Sequence, residues 1–109
     1  MELARVVYCF SDAIPSKERF GLISQMQRAA VSIPSNIAEG YQRKGTKELI
    51  QFLRIAYGSS AELETQIILA KNIYSLDIGG LLEQLTEVQK MLNAYQTSLE
   101  AKLDKYLRH

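Results

Sequence analysis

Apolar side chains recur every three or four residues along almost the whole chain, and nowhere do they alternate with polar ones in the manner of a strand. Leu3, Val6, Val7 and Phe10 form the first such face, which ends before Ala13-Ile14-Pro15. A second face, Leu22, Met26, Ala29, Ile33, Ile37 and Tyr41, predicts a helix over residues 17–44 with Ser16 as its cap and Gly45 as its stop. Leu49, Leu53, Ala56, Leu63, Ile67 and Ala70 predict a third helix that Thr46 caps and that reaches Tyr74. After a loop over residues 75–80, where Asp77 can cap, Leu81, Leu85, Val88, Leu92, Tyr95, Leu99 and Leu103 mark a fourth. Their spacing is that of the seam of a left-handed bundle. The expected fold is all-α, an up-down four-helix bundle with a short first helix and a Pro-kinked long second helix, in one domain spanning residues 1–109.

Pro34 interrupts that second pattern without shifting its phase, since Ala29, Ile33 and Ile37 stay on one face across it. The helix is therefore expected to continue through the proline, losing one backbone hydrogen bond at a cost of about 3 kcal/mol.

Polar side chains follow rows of their own. Gln25, Arg28, Ser32, Asn36, Glu39 and Arg43 share one side of the second helix. Glu48, Phe52, Ile55, Ser59, Glu62 and Gln66 share one side of the third. If the helices fold back about Gly45-Thr46, residues equidistant from that turn come level. Gln25 then faces Gln66, Arg28 faces Glu62, Ser32 faces Ser59, Asn36 faces Ile55, and Arg43 faces Glu48. Polar groups withdrawn from water need partners, or each costs about 1 to 3 kcal/mol. The expected outcome is a structural polar network of Gln25, Arg28, Ser32, Asn36, Glu39, Ser59, Glu62 and Gln66 that sets the register of the hairpin.

Composition narrows the chemistry. The 109 residues suffice for one core that buries roughly 65% of the unfolded surface. No apolar run approaches the roughly 18 residues of a membrane span, and the amino terminus lacks the pattern of a secretion signal, so the expected location is cytoplasmic and away from membranes. The one histidine, His109, lies at the carboxyl terminus, which leaves no internal general base. Glu39 and Glu62 lack the histidines that a di-iron bundle uses. Cys9 sits in an apolar segment and reads as a small core residue. No catalytic residue, metal ligand or cofactor is expected.

Net charge is +1, unevenly spread: residues 1–47 hold seven Lys/Arg and four Asp/Glu (+3), residues 48–109 six and eight (−2). Arg43, Lys44 and Lys47 at the hairpin tip are the best candidates for phosphate contacts, with Lys17 and Arg19 at the far end of the second helix. Tyr8, Tyr57, Tyr95 and Tyr106 read as core-edge or interface rings.

The stretch FGLISQMQRAAVSIPSNIAEGYQRKGTKELIQFLRIAYGSSAELETQI, residues 20–67, resembles a bacterial four-helix-bundle family encoded within intervening sequences of 23S rRNA genes. The resemblance is carried by Gln25, Arg28 and Ala29, by the block SIPSNIAEG from Ser32 to Gly40, by Arg43, and by Gly58, Ser59, Glu62, Leu63 and Gln66. It implies a homo-oligomer, a homopentamer, and the residues themselves read as non-enzymatic. The accessory variability determinant of diversity-generating retroelements is a relative that binds nucleic acid and a reverse transcriptase. The implied partners are thus RNA or DNA and a polymerase-type protein. Relatives begin further upstream, often with a tryptophan-containing stretch, so the chain reads as a shorter form. The alternative is a purely protein-binding or self-assembling module with no nucleic-acid role.

Overall fold

A computed structural model describes residues 2–108. Four helices run back and forth: α1 Glu2–Ser11, α2 Leu22–Gln42, α3 Thr46–Tyr74 and α4 Gly79–Leu107. A single 3-10 turn, Ser16–Glu18, lies between α1 and α2. Each helix packs on the next, and α1 closes the bundle by touching both α2 and α4. The rod measures 56 × 23 × 18 Å.

One apolar cluster runs along the axis, and it uses the faces that the periodicity marks. Leu3 and Val7 from α1, Met26, Ala29 and Ile33 from α2, Leu53, Leu63 and Ile67 from α3, and Leu81, Leu85 and Leu92 from α4 are all buried in it. Ile37, Leu49, Val88, Tyr95 and Leu99 pack against it from the edge, half-buried. Pro34 lies inside α2, which continues unbroken on both sides. Ile33 immediately before it is fully buried and Ile37 is packed on the core, so burial on both sides offsets the missing hydrogen bond.

Several boundaries differ from the expected ones: α2 runs Leu22–Gln42 and not 17–44, and α4 begins at Gly79, inside the expected loop over residues 75–80, whereas α3 ends at Tyr74 as expected. Helix α2 starts at Leu22, not at residue 17, because no side chain in phase with the core precedes Leu22, and Gly21 leaves the helical region at φ −115°, ψ −106°. The segment before it takes 3-10 hydrogen bonds instead, from Glu18 N–H to Pro15 O and from Arg19 N–H to Ser16 O, and Ser16 provides no side-chain cap. At the hairpin, Gly45 occupies the flanking position of α3 in an extended conformation, so Thr46 is already the first helical residue and caps nothing. At the next turn, Ser75 ends α3 in the left-handed region, φ 55°, and its N–H closes on Lys71 O at 2.8 Å. Asp77 does reach the start of α4, where its Oδ1 accepts the Gly79 N–H at 3.2 Å.

Cys9 is exposed rather than in the core. It stands two residues, roughly 200°, around α1 from the buried Val7, and so faces outward. Tyr8, Tyr57 and Tyr106 are exposed too, whereas Tyr95 is half-buried. No described helix is long and apolar enough to cross a membrane.

Candidate nucleic-acid interface

The polar rows of α2 and α3 lie along the seam between these helices, and the seam confirms the level at which they meet while changing most of the expected partners. Ser32 Oγ and Ser59 Oγ are 2.8 Å apart, both half-buried. Asn36 Nδ2 donates one turn back to Ser32 O at 2.8 Å and to Ser32 Oγ at 2.9 Å, so three side chains form one small network. Gly40 fits between Leu49 and Phe52 so closely that a Cβ there would stand 2.9 Å from Leu49 Cδ1 and 3.0 Å from Phe52 Cβ.

The charged pairs do not form. Arg28 and Glu62 are both exposed, and among the described residues no ion pair joins them. Glu62 Oε1 instead accepts from Gln66 Nε2 at 3.2 Å, within α3. Gln25 is exposed, whereas Gln66 is only 7% exposed and its Oε1 is buried with no hydrogen-bond partner. Arg43 turns away from Glu48, pairs with Glu39 at 3.0 Å on its own helix, and lies 5.4 Å over the Phe52 ring. The charged members of the rows sit on the outer rim of the seam, where long side chains reach water and gain more from hydration than from an ordered pair across it.

The hairpin tip gathers the three expected basic residues. Arg43, Lys44 and Lys47 are all exposed, and Lys44 and Lys47 enter no ion pair among the described residues. They surround the amino terminus of α3, which has no side-chain cap, so its first N–H groups add positive potential to theirs, offset in part by the Glu48 carboxylate in the same turn. The return of α4 brings more. Residues of α3 and α4 equidistant from Asp77 come level, as the Arg54–Glu100 ion pair at 3.1 Å and the Gln89–Glu64 hydrogen bond at 3.0 Å record. The last turns of α4 therefore lie beside the first turns of α3. A groove of about 710 Å³ runs between Lys47, Arg54, Glu100, Asp104 and Leu107. Another of about 740 Å³ is bordered by Thr46, Lys47, Leu99, Lys102 and Tyr106. Lys102 and Tyr106 were not among the expected site residues; the same equidistance argument, applied to the second turn, would have placed them there.

Lys17 and Arg19 are exposed at the opposite end. The length of α2, about 30 Å, separates them from the hairpin tip, so the five basic residues make two poles and not one patch. Their turn is tied to the end of α3 by Tyr74, whose hydroxyl donates to Glu18 Oε2 at 2.7 Å. That bond to a carboxylate holds the Tyr74 phenol above its ordinary pKa. Tyr41 is raised in the same direction by donating to Tyr95 Oη at 2.9 Å, the rings meeting edge to face with centroids 6.1 Å apart. Glu100 is lowered, first by the Gln96 amide and then by Arg54. Glu39, taken by Arg43, and Glu62, taken by Gln66, do not converge.

Compared with known families, residues 1–94 match the 23S rRNA-intervening sequence protein family, and the chain belongs to that family. No curated protein matches it.

Proposed function

We propose that the chain is a non-enzymatic, oligomeric helical scaffold that binds RNA or DNA through the basic end formed by Arg43, Lys44 and Lys47. The observation that carries this reading is the gathering of those cations around the uncapped amino terminus of α3, next to Lys102. Fixed N–H dipoles and mobile ammonium groups suit a phosphate together better than either does alone. The family's name, which ties it to 23S rRNA intervening sequences, favours RNA as the first ligand to try.

With only a few free cations, binding is weak and salt-sensitive, which suits an accessory protein of a polymerase-type partner more than a sequence reader. Retention of a structured RNA at low salt, lost when all three residues become Glu, supports the reading. Failure to retain any RNA or DNA at low salt removes it.

A second reading, a self-assembling or protein-binding module with no nucleic-acid role, is favoured by Ile55, Leu69 and Ile73. These stay exposed along one side of α3. On an ideal helix they fall within roughly 40° of one another, with the polar Ser59, Glu62 and Gln66 between Ile55 and the other two, so Leu69 and Ile73, one turn apart, form the apolar pair that another helix can cover. The solution mass separates the cases: a monomer at micromolar concentration counts against assembly, and a homopentamer is the expected result.

A further inference from the structure

The pole away from the hairpin tip carries a feature that charge does not explain. Phe20 is 92% exposed, the most exposed of the large apolar side chains among the described residues. It does not dangle from a loose segment. Three short-range hydrogen bonds order the backbone around it, Glu18 N–H to Pro15 O, Arg19 N–H to Ser16 O and Gly21 N–H to Glu18 O, each 3.0 Å. The Tyr74 hydroxyl clamps the turn onto the end of α3 through Glu18. The ring is thus held out in water by an ordered support, at an entropic cost already met on folding.

Its neighbours say what it is suited to meet. Lys17 and Arg19 lie just before it in the same ordered turn and are exposed. Glu18, the acid between them, is half-buried and already engaged by Tyr74. An exposed ring beside two cations that enter no ion pair among the described residues complements an unpaired base and a neighbouring phosphate. A buried protein partner would have to desolvate both cations. A base-paired helix offers no free face for the ring.

We propose that Phe20, with Lys17 and Arg19, is a stacking platform for single-stranded nucleic acid, so that the ligand of this protein includes unpaired nucleotides. The inference deepens the nucleic-acid reading and rests on it. Stacking tolerates any base, so the platform selects for strandedness and not for sequence.

The chain has no tryptophan, so Phe20→Trp introduces a single reporter in the full-length protein. Titration with a short oligouridylate at low salt is expected to quench that fluorescence, and a duplex RNA of equal charge is expected to leave it unchanged. Phe20→Leu, which keeps an apolar side chain but removes the ring, should weaken oligouridylate binding about tenfold, while Phe20→Tyr should bind as the parent does. The side chain lies outside the core, so circular dichroism should show the same helix content for every variant. Equal binding by Phe20→Leu, or quenching by duplex as strong as by single strand, overturns the platform. So does a concentration-dependent blue shift without nucleic acid, which would assign the ring to a contact between copies. If Phe20→Leu binds as before and RNA retention still depends on Arg43, Lys44 and Lys47, only this inference falls. If no nucleic acid is retained at all, the broader reading falls with it.

Discussion

The hydroxyls of Ser32 and Ser59 meet at 2.8 Å across the α2–α3 interface, and Asn36 completes the contact by donating to both the hydroxyl and the carbonyl of Ser32. The pair fixes how far one helix can slide along the other, because a shift of one turn, about 5.4 Å, would part the two oxygens. Ser32→Ala or Ser59→Ala should each lower stability by about 1 kcal/mol in urea unfolding. The double variant should lose less than the two single losses together, since either change alone already breaks the shared bond. Strict additivity would mean that the hydroxyls do not interact.

Arg28 and Glu62 face water and not one another, and their substitution should tell the same story. Arg28→Ala is expected to change the stability of the isolated chain by less than about 0.5 kcal/mol, as an exposed side chain without an ion-pair partner does, and Glu62→Ala to cost about 1 kcal/mol, because it removes the acceptor of the buried Gln66 Nε2. The same urea midpoints check this. A loss of several kcal/mol from either would indicate a buried ion pair.

These two cases show what the sequence could and could not reveal. Helix positions and the α2–α3 level were legible because apolar phase and turn position are properties of the chain itself: Ala29, Ile33 and Ile37 keep one face across Pro34, and Ser32 and Ser59 stand equally far from Gly45-Thr46. Which polar neighbours actually bond was not legible. Arg28 and Glu62 come level, but they stand on the rim, where hydration wins. Nor could the first turn of α2 be read, since the stop at Gly21 depends on a backbone conformation and the next four residues toward the amino terminus look helical in composition. The candidate site was half legible. Arg43, Lys44 and Lys47 follow from sequence, whereas Lys102 and Tyr106 join them only because α4 returns antiparallel along α3.

Gly40 and Gly58 should respond in opposite directions to alanine. Both are helical, and alanine gains about 1 kcal/mol over glycine from propensity alone. At Gly58 nothing lies within 4 Å of the added carbon, so Gly58→Ala should stabilise by up to that amount. At Gly40 the carbon would meet Leu49 Cδ1 at 2.9 Å, which can move, and Phe52 Cβ at 3.0 Å, which is anchored to its backbone. The overpacking, about 1 to 3 kcal/mol, outweighs propensity, so Gly40→Ala should destabilise. Thermal unfolding of the two variants side by side is the measurement.

Alkaline pH should loosen both ends of the rod. The Tyr74 and Tyr41 phenols ionise at higher pH folded than unfolded, because each donates a hydrogen bond that only the protonated form can make. Their contribution is therefore fully present below the unfolded value, about 10, and is lost as pH rises through the folded one. Stability followed by denaturant unfolding should fall above pH of about 10, and Tyr74→Phe, which lacks the bond at every pH, should flatten part of that fall. Glu100 acts in the acid direction: its folded pKa is lowered, so its contribution is present above about 4.3 and is lost as pH drops.

The basic end makes a prediction in which the three cations are not equivalent. Arg43 already shares its charge with Glu39 at 3.0 Å and lies over the Phe52 ring, whereas Lys44 and Lys47 have no carboxylate within ion-pair distance among the described residues. A phosphate must compete with Glu39 for Arg43 but finds both lysines free. If RNA binds here, Lys44→Gln and Lys47→Gln should each reduce the slope of log affinity against log salt by about 0.7 to 0.9, the value for one phosphate contact. Arg43→Gln should reduce it by less. Glu39→Gln should have the opposite sign, tightening RNA binding by releasing Arg43, with little effect on fold because both side chains are about half exposed. Filter binding across a salt series reads all four variants, and a slope that none of the basic substitutions alters would place the contact elsewhere on the rod.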